Sequence, residues 1–299
     1  MSKFSLIIPI YNEEDAITRL FQQLESYSCK EEQLSEIILI NDGSSDSSAT
    51  RIQEELSKWT LEKSISIINN PYNLGYGASL KRGIRCAKET YVAIIDADLT
   101  YEIERVTSLH SICVHEDLEM VVGARQGKFY EGNLTKKLLR KLLRRIVEYM
   151  TGQKILDINS GLRIFKRDLA LENEALLSNR FSFTTSLTLV IILSGGLVRY
   201  VPTNYERRLG STKVKLAKDA FKTLGQILAV SFYFNPLRVI YPIILFQGAG
   251  TLFLIALGIF ATLDTLLILI QLCSFFVTLT VGLLSQSISL ARQTGKRKL

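Results

Sequence analysis

The chain has 299 residues, of which 47% are hydrophobic and 22% charged, and its net charge is +7. This length allows one large domain or two small ones, and the apolar content excludes a disordered chain. The four cysteines are scattered without a C-x-x-C pair, which argues against a disulfide framework or a cysteine-rich zinc site and favours a reducing compartment.

The first 122 residues alternate short β-branched runs with helical patterns. A mainly parallel sheet with helices on both faces is the fold that this alternation predicts, and the chain is therefore expected to be an α/β protein. In such a sheet, ligands bind where the carboxyl ends of the strands meet. The strands are predicted at 4–10, 36–40, 64–68, 91–95 and 119–122, and the helices at 11–27, 44–59 and 75–88.

Two later segments have the spacing of amphipathic helices with one basic face. In 134–150, apolar residues at helical spacing form one face of the helix, and six lysines and arginines form the other. In 213–228, an apolar face likewise lies opposite three lysines. Basic amphipathic helices bind anionic membrane surfaces. The alternative is a helix packed on the body with a solvated basic face. Both interpretations are left open for 213–228, whereas a membrane or an anionic ligand is favoured for 134–150.

The segment 239–291 holds 53 residues and one charge, Asp264. At about 20 residues per crossing, it predicts two membrane helices, near 239–261 and 266–289, joined by a turn at Asp264. The alternative is the buried helical hairpin of a soluble protein. That alternative is disfavoured because neither helix has a polar face.

Charge is distributed unevenly along the chain. Residues 1–132 carry 13 basic and 21 acidic groups, 133–167 carry 10 and 2, and 199–238 carry 8 and 2. Basic residues thus flank both ends of the apolar hairpin, so the positive-inside rule puts both ends, and the body of the protein, in the cytoplasm. The N-terminus has no signal-peptide pattern. We therefore expect an integral protein of the cell (inner) membrane.

Polar motifs follow the first four predicted strands. Their loops would converge on one edge of the sheet with at least four carboxylates. Asp96 and Asp98 could share one divalent cation, because carboxylate oxygens suit Mg²⁺ or Mn²⁺ bound to a diphosphate. Each motif alone is weak, since D-x-D also occurs at solvated strand ends and Asp-Gly-Ser is an ordinary turn. The two histidines, His110 and His115, are expected at the surface. The motifs are P-I-Y-N-E (9–13), N-D-G-S (41–44), N-L-G-Y-G-A (73–78) and D-A-D (96–98).

Taken in order, these motifs resemble family 2 glycosyltransferases of the GT-A fold. The polyprenyl-phosphate, dolichol-phosphate mannose synthase-like branch is the most similar, in a bacterial form with a C-terminal hairpin. The resemblance implies a Rossmann-like GT-A domain over 1–210, an amphipathic juxtamembrane helix over 211–238, a transmembrane hairpin over 239–291 and a basic cytoplasmic tail over 292–299. It continues in G-A-R (123–125), D-I-N-S-G-L-R (157–163), F-S-F-T-T (181–185), R-L-G-S-T-K (208–213) and Y-F-N-P-L-R (233–238).

The resemblance also implies a role for each matching residue. Asp96 and Asp98 would hold Mg²⁺ or Mn²⁺. Asp98 and Asp157 would be the catalytic residues, with Asp157 positioning or deprotonating the nucleophile. The nucleotide sugar would be bound by Pro9, Tyr11, Asn12, Glu13, Asp42, Asn73, Gly77, Lys81, Asp96 and Asp98. The acceptor phosphate would be bound by Arg125, Arg140, Arg144, Arg208 and Lys213.

The implied activity is an inverting, metal-dependent transfer of one sugar from a UDP- or GDP-sugar to a polyprenyl phosphate at the cytoplasmic membrane face. The expected partners are the nucleotide sugar, the lipid and the membrane, with no nucleic acid and with homo-oligomerisation left open. The alternatives are a different lipid or protein acceptor, or a catalytically degenerate membrane scaffold. Two positions depart from relatives: Thr100 replaces a frequent glutamine near the metal, and Arg144 stands where many dolichol-type relatives have serine.

Overall fold

The computed structural model describes residues 2–61, 63–127, 134–206, 216–260 and 265–296. Within these residues the strands form one seven-stranded sheet of order β3-β2-β1-β4-β6-β5-β7. Strand β6 is antiparallel to β4 and β5, and the other pairings are parallel. The predicted, mainly parallel α/β sheet is confirmed. The strands are β1 (Phe4–Ile10), β2 (Leu34–Asn41), β3 (Ser64–Asn69), β4 (Tyr91–Ile94), β5 (Met120–Gln126), β6 (Arg163–Lys166) and β7 (Val198–Asn204).

Helices connect the strands and form the C-terminal part of the chain. The first eight are α1 (Glu14–Lys30), α2 (Ser48–Ser57), α3 (Tyr76–Cys86), α4 (Arg105–His115), α5 (Leu134–Thr151), α6 (Arg167–Glu172), α7 (Phe183–Leu193) and α8 (Leu216–Phe234). They are followed by α9 (Pro236–Phe260) and α10 (Thr265–Lys296). Helix α2 begins four residues later than predicted. Ser44 and Ser45 form hydrogen bonds with Asn12 in the loop after β1, and these bonds compete with the start of a helix.

Strands β6 and β7 were not predicted from the sequence, nor were helices α4, α6 and α7. Strand β6 has four residues and begins with a charged one, Arg163, so it carries no alternating pattern. Strand β7 contains Pro202, which argues against a strand at sequence level. The proline is tolerated because β7 lies at the edge of the sheet and pairs only with β5 among the described strands.

The core is centred on β1, which lies between β2 and β4. All residues of β1 are buried except Pro9, which is half-buried. Helix α1 contributes Ile17, Leu20 and Leu24 to the same hydrophobic cluster. Full burial of one such aliphatic side chain stabilises a fold by about 1.5–3 kcal/mol. The central strands thus give a rigid base to the loops at their carboxyl ends.

Contacts along the chain define two compact units, Met1–Ile227 and Leu228–Leu299. In the second unit α9 and α10 pack against each other. Their segments Pro236–Ala256 and Leu269–Ala291 are long and apolar enough to cross a membrane, and few of their residues are buried. This exposure is unlike the buried hairpin of a soluble protein. Asp264 and the end of the basic tail lie outside the described residues, and the domain boundaries stay predictions.

His110 is buried, so the expectation that both histidines lie at the surface is wrong for it. Its ring lies between those of Phe4 and Tyr91, at centroid distances of 4.9 and 5.4 Å. Its Nδ1 atom lies 2.6 Å from Gln33 Oε1, and Nε2 lies 3.2 Å from Ser2 Oγ. Burial lowers the pKa of His110, because a charged ring would lose its hydration.

Acidification is expected to destabilise the first unit through His110. Since the folded-state pKa lies below the ordinary value of about 6.5, the unfolded chain binds the proton more readily. Stability is therefore undiminished above about pH 6.5 and falls as the pH drops below it. The Tm of the detergent-solubilised protein should fall as the pH is lowered, and His110→Gln should reduce this pH dependence of the Tm. His115→Gln, at an exposed position of the same helix, is the control. Equal slopes for His110→Gln and wild type would contradict this account.

Candidate active site

The first two motifs meet at the carboxyl ends of β1 and β2. Asn12 has a left-handed backbone conformation, with φ of 51°. It donates its backbone N–H to Ser44 Oγ at 3.0 Å, and its Oδ1 accepts the N–H of Ser45 at 2.8 Å. These bonds join the loop after β1 to the loop after β2, as the convergence of parallel strands predicts. The other predicted residues of the first motif, Pro9, Tyr11 and Glu13, are half-buried.

The Asp42 carboxylate anchors the loop that follows β3. Its Oδ1 accepts hydrogen bonds from Asn70 Nδ2 at 2.7 Å and from the N–H of Leu74 at 2.9 Å, and its Oδ2 accepts the N–H of Gly75 at 2.9 Å. Asp42 is buried. It therefore holds in place the loop that carries Asn73, which is half-buried. Contact of Asp42 and Asn73 with a nucleotide stays a prediction.

The start of α3 packs against a segment that the sequence analysis did not connect with it. A Cβ atom on Gly77 would lie only 2.1 Å from the carbonyl oxygen of Ser178. The N–H of Ala78 donates to the Asn179 carbonyl at 3.0 Å, and Lys81 Nζ donates to Asn179 Oδ1 at 2.8 Å. Gly77 and Lys81 thus both contact the segment before α7, and their predicted role along the nucleotide stays a prediction.

Asp96 and Asp98 lie directly after β4, and each is held by a neighbouring hydroxyl. Tyr76 donates its hydroxyl to Asp96 Oδ1 at 2.9 Å. Thr100 donates its hydroxyl at 2.6 Å and its N–H at 3.2 Å to Asp98 Oδ1. Thr100, noted above only as a departure from relatives, therefore orients the second carboxylate. Tyr76 stands inside the third motif but was not among the predicted site residues.

Binding of a divalent cation by Asp96 and Asp98 stays a prediction. Mg²⁺ in particular is usually bound through one or two carboxylates, with substrate phosphates and water completing its shell. Within the described parts of the chain, no group of three or more histidine, cysteine, aspartate or glutamate side chains could hold a metal by itself. A metal bound at these two carboxylates would therefore need further ligands, which a bound diphosphate would supply.

Gly161 brings the loop before β6 against Asp96. A Cβ atom at this position would lie 2.0 Å from Asp96 Oδ2. The N–H of Gly161 donates to the Tyr101 hydroxyl at 3.1 Å, and that hydroxyl lies 3.1 Å from Ser160 Oγ. Any larger residue would displace the carboxylate. The close approach of the Gly161 backbone to the Asp96 side chain therefore explains the S-G pair of the D-I-N-S-G-L-R motif.

Asp157 and Arg125 form a buried, bidentate ion pair. Arg125 Nε lies 2.7 Å from Oδ2, and Nη2 lies 2.9 Å from Oδ1. Burial by itself would raise the pKa of Asp157, but the charge and hydrogen bonds of Arg125 outweigh it and hold the pKa below its usual range. The Arg125 guanidinium also lies 5.5 Å from the ring centroid of Tyr205. A carboxylate held in this way is ionised and oriented, and it is a weak proton acceptor.

Arg163 is a fully buried cation behind the same loop. Its Nε and Nη2 atoms donate to the Ser160 carbonyl at 3.1 and 2.6 Å. Its Nη1 donates to the Thr184 carbonyl at 2.9 Å and to Thr188 Oγ1 at 3.2 Å. These acceptors are neutral, and they join the loop before β6 to α7. Arg163 is the last residue of the D-I-N-S-G-L-R motif, but the motif alone predicted no role for it.

Replacing Arg163 by lysine is expected to lower kcat by about tenfold or more, because an ammonium cannot bridge Ser160 and Thr184 as the planar guanidinium does. A buried carbonyl that loses its donor costs about 1–3 kcal/mol; the Ser160 carbonyl, which accepts two bonds from Arg163, is the one most affected, so the Tm should fall as well. Thr188→Val removes one bond from Arg163 and the bond of the Thr188 hydroxyl to the Thr184 carbonyl, but it keeps the guanidinium and is the milder comparison. A wild-type kcat for Arg163→Lys would show that this bridge does not position the loop.

The predicted acceptor-phosphate residues occupy two places. Arg125 lies with Asp157, whereas Arg140 and Arg144 are one turn apart on α5. Arg144 Nε is buried, has no hydrogen-bond partner among the described residues, and lies 4.0 Å from Glu148 Oε1. Arg208 and Lys213 lie outside the described residues. Arg125 is thus engaged by a carboxylate, whereas Arg144 has an unused donor.

Several curated relatives of the chain are polyprenyl-phosphate sugar transferases by name. It is 23% identical over 231 residues to dodecaprenyl-phosphate galacturonate synthase of Rhizobium johnstonii, covering 77% of this chain and 67% of that protein. It is 32% identical over 170 residues to undecaprenyl-phosphate 4-deoxy-4-formamido-L-arabinose transferase of Proteus mirabilis, covering 56% of this chain. In that comparison the chain spans half the length of the relative.

A solved structure confirms the predicted GT-A type of fold. Glucosyl-3-phosphoglycerate synthase from Mycobacterium tuberculosis, in complex with Mn²⁺, UDP and phosphoglyceric acid, matches with a TM-score of 0.61 at 15% identity. The match covers 77% of this chain and 78% of that one. The model of glycosyl transferase family 2 matches residues 5–172, a range that holds the four converging loops, Asp157 and Gly161. More than half of the sequence thus agrees with that model, and the chain belongs to glycosyl transferase family 2.

Proposed function

We propose that the protein is an inverting glycosyltransferase that moves one sugar from a UDP- or GDP-sugar to a polyprenyl phosphate. The observation that carries the proposal is the enclosure of Asp96 and Asp98 by Tyr76, Thr100 and Gly161 at the carboxyl edge of the sheet. Two carboxylates so held suit a metal-bound nucleotide diphosphate. The names of the relatives support a polyprenyl phosphate as acceptor.

The chemistry of this acceptor agrees with the state of Asp157. A phosphate oxygen is already anionic at neutral pH, so the nucleophile needs no strong general base. The low pKa of Asp157 and its pairing with Arg125 support a role in orienting that guanidinium. Arg140 and Arg144 on α5 would add cationic contacts to the acceptor, since guanidinium groups pair with phosphate through two parallel hydrogen bonds.

Asp96 and Asp98 would hold Mg²⁺ or Mn²⁺, which when bound neutralises the diphosphate leaving group. The other groups of the site keep these carboxylates in place. Tyr76 and Thr100 donate hydrogen bonds to them, and Gly161 closes one side of Asp96. The contribution of the chain is therefore the orientation of two charges before the substrate arrives.

We further propose that the reaction takes place at the cytoplasmic face of the cell membrane. Helices α9 and α10 include two segments long enough to cross a bilayer. Basic residues precede the first segment and follow the second in the sequence, and such residues favour the cytoplasmic side. Both ends of the hairpin and the transferase unit would then share that side.

Transfer is expected when membranes containing the protein are incubated with a labelled nucleotide sugar, undecaprenyl or dolichyl phosphate, and Mg²⁺ or Mn²⁺. The label should appear in a lipid-phosphate-linked sugar, and EDTA should prevent its appearance. A screen of UDP- and GDP-linked donors identifies the sugar. Label in diacylglycerol or protein but not in polyprenyl phosphate would favour the other acceptor classes. No transfer from any common donor would contradict the proposal.

A further inference from the structure

A basic groove lies at the C-terminal end of α5. It has a volume of about 510 Å³ and is open to solvent. Four of its side chains are cationic and only Glu148 is acidic, so the groove carries an excess of three positive charges. Apart from Arg144, no residue of the groove belongs to the predicted donor or acceptor sites. The lining residues are Lys141, Arg144, Arg145, Glu148, Gly152, Gln153 and Lys154.

The groove contains a hydrogen-bond donor that the described residues leave unused. Arg144 Nε is buried without a partner among them. The Glu148 carboxylate lies 4.0 Å away, beyond hydrogen-bond distance, and accepts the N–H of Ile155 at 3.1 Å. A buried donor without an acceptor is unfavourable. An anion in the groove would supply that acceptor and offset the excess positive charge.

The groove is close to the candidate active site along the chain. Lys154 precedes Asp157 by three residues, so their Cα atoms are at most about 11 Å apart. Tyr200 on β7 is within electrostatic reach of both regions: burial raises the pKa of its hydroxyl most, and Asp157 and Glu148 raise it further. A ligand held by Lys154 would therefore lie near Asp157.

The same face of α5 exposes an apolar stripe. Leu138, Leu142 and Tyr149 are 68%, 55% and 45% exposed. Lys141 and Arg145 lie one helical turn from these side chains on the same face. Exposed apolar residues interleaved with basic ones are typical of helices that rest on an anionic lipid surface. The partner that fits both the stripe and the groove is thus a lipid with a phosphate headgroup.

We propose that this groove binds the headgroup phosphate of an anionic membrane phospholipid, at a site that adjoins the proposed acceptor site and shares Arg144 with it. The inference rests on the proposed membrane location and not on the identity of the transferred sugar. A bound headgroup would fix α5 on the bilayer surface. Because α5 carries Arg140 and Arg144, anionic lipid would then accelerate transfer to the lipid acceptor.

The full chain in nanodiscs tests this proposal, with phosphatidylcholine alone or mixed with phosphatidylglycerol. The variant is the triple change Lys141→Gln, Arg145→Gln and Lys154→Gln. Its matched control removes three exposed lysines elsewhere, by Lys30→Gln, Lys58→Gln and Lys88→Gln. One readout is the phosphatidylglycerol retained per protein after detergent extraction, measured by mass spectrometry. The other readout is the rate of transfer.

Wild type and control should retain phosphatidylglycerol and show several-fold stimulation by it. The triple variant should lose both effects yet keep the rate seen in phosphatidylcholine alone. Equal retention by wild type and triple variant would overturn the proposal, as would loss of the basal rate, which would make the groove part of the acceptor site. Calorimetric binding of inorganic phosphate without any effect of phosphatidylglycerol would overturn the lipid assignment. Retention is measured without turnover, so it tests the groove even where the proposed transfer is absent.

Discussion

Asp98→Asn is expected to abolish sugar transfer while leaving the fold intact. Asp98 is 4% exposed, and its Oδ1 accepts both hydrogen bonds from Thr100. Asparagine keeps a carbonyl oxygen for these bonds but loses the charge that a cation bound to diphosphate requires. Removing a preorganised charge-stabilising group lowers rates by about 10²–10³-fold, and loss of the metal would add to this.

The measurement is transfer in the presence of Mn²⁺, with calorimetric binding of the nucleoside diphosphate and the Tm as companion readouts. Asp117→Asn is the control, because that aspartate is 88% exposed and lies in the turn after α4. It should transfer at the wild-type rate. Metal-dependent diphosphate binding should disappear in Asp98→Asn with little change in Tm. Retained transfer by Asp98→Asn would refute the assigned metal role.

Gly161→Ala is expected to lower transfer by about 10²-fold or more through the displacement of Asp96. The added Cβ would lie 2.0 Å from Oδ2 and 2.3 Å from Cγ of Asp96. The carboxylate would have to move, breaking the 2.9 Å hydrogen bond from Tyr76. Overpacking of this kind also destabilises a fold by about 1–3 kcal/mol, so both the rate and the Tm should fall.

Gly225→Ala is the matched control for this change. A Cβ on Gly225 would meet no atom within 4 Å, and alanine favours a helix over glycine by about 1 kcal/mol. It should leave transfer unchanged and raise the Tm slightly. A wild-type rate for Gly161→Ala would mean that Asp96 tolerates displacement and is not a ligand in the proposed arrangement.

The local sequence determined the architecture of the first unit and the position of its site. Short β-branched runs alternating with helical patterns can bury their apolar faces only in an α/β sheet. The carboxyl ends of parallel strands then meet at one edge, so Asn12, Asp42, Asp96 and Asp98 could be assigned to one site before any contact was known. Hydrophobic periodicity and composition were also sufficient to predict α5 and the two apolar helices, because both features repeat over neighbouring residues.

Only the tertiary structure decided which side chains hold the site together. Lys81 meets Asn179 across 98 positions of sequence, and Arg125 meets Asp157 across 32. Gly161 approaches Asp96 because β6 enters the sheet antiparallel, between β4 and β5. The periodicity of the sequence does not predict such pairings, because each depends on how elements that are distant in sequence pack together. The identity of Asp157 was therefore visible in the sequence, whereas its partner and its low pKa were set by packing.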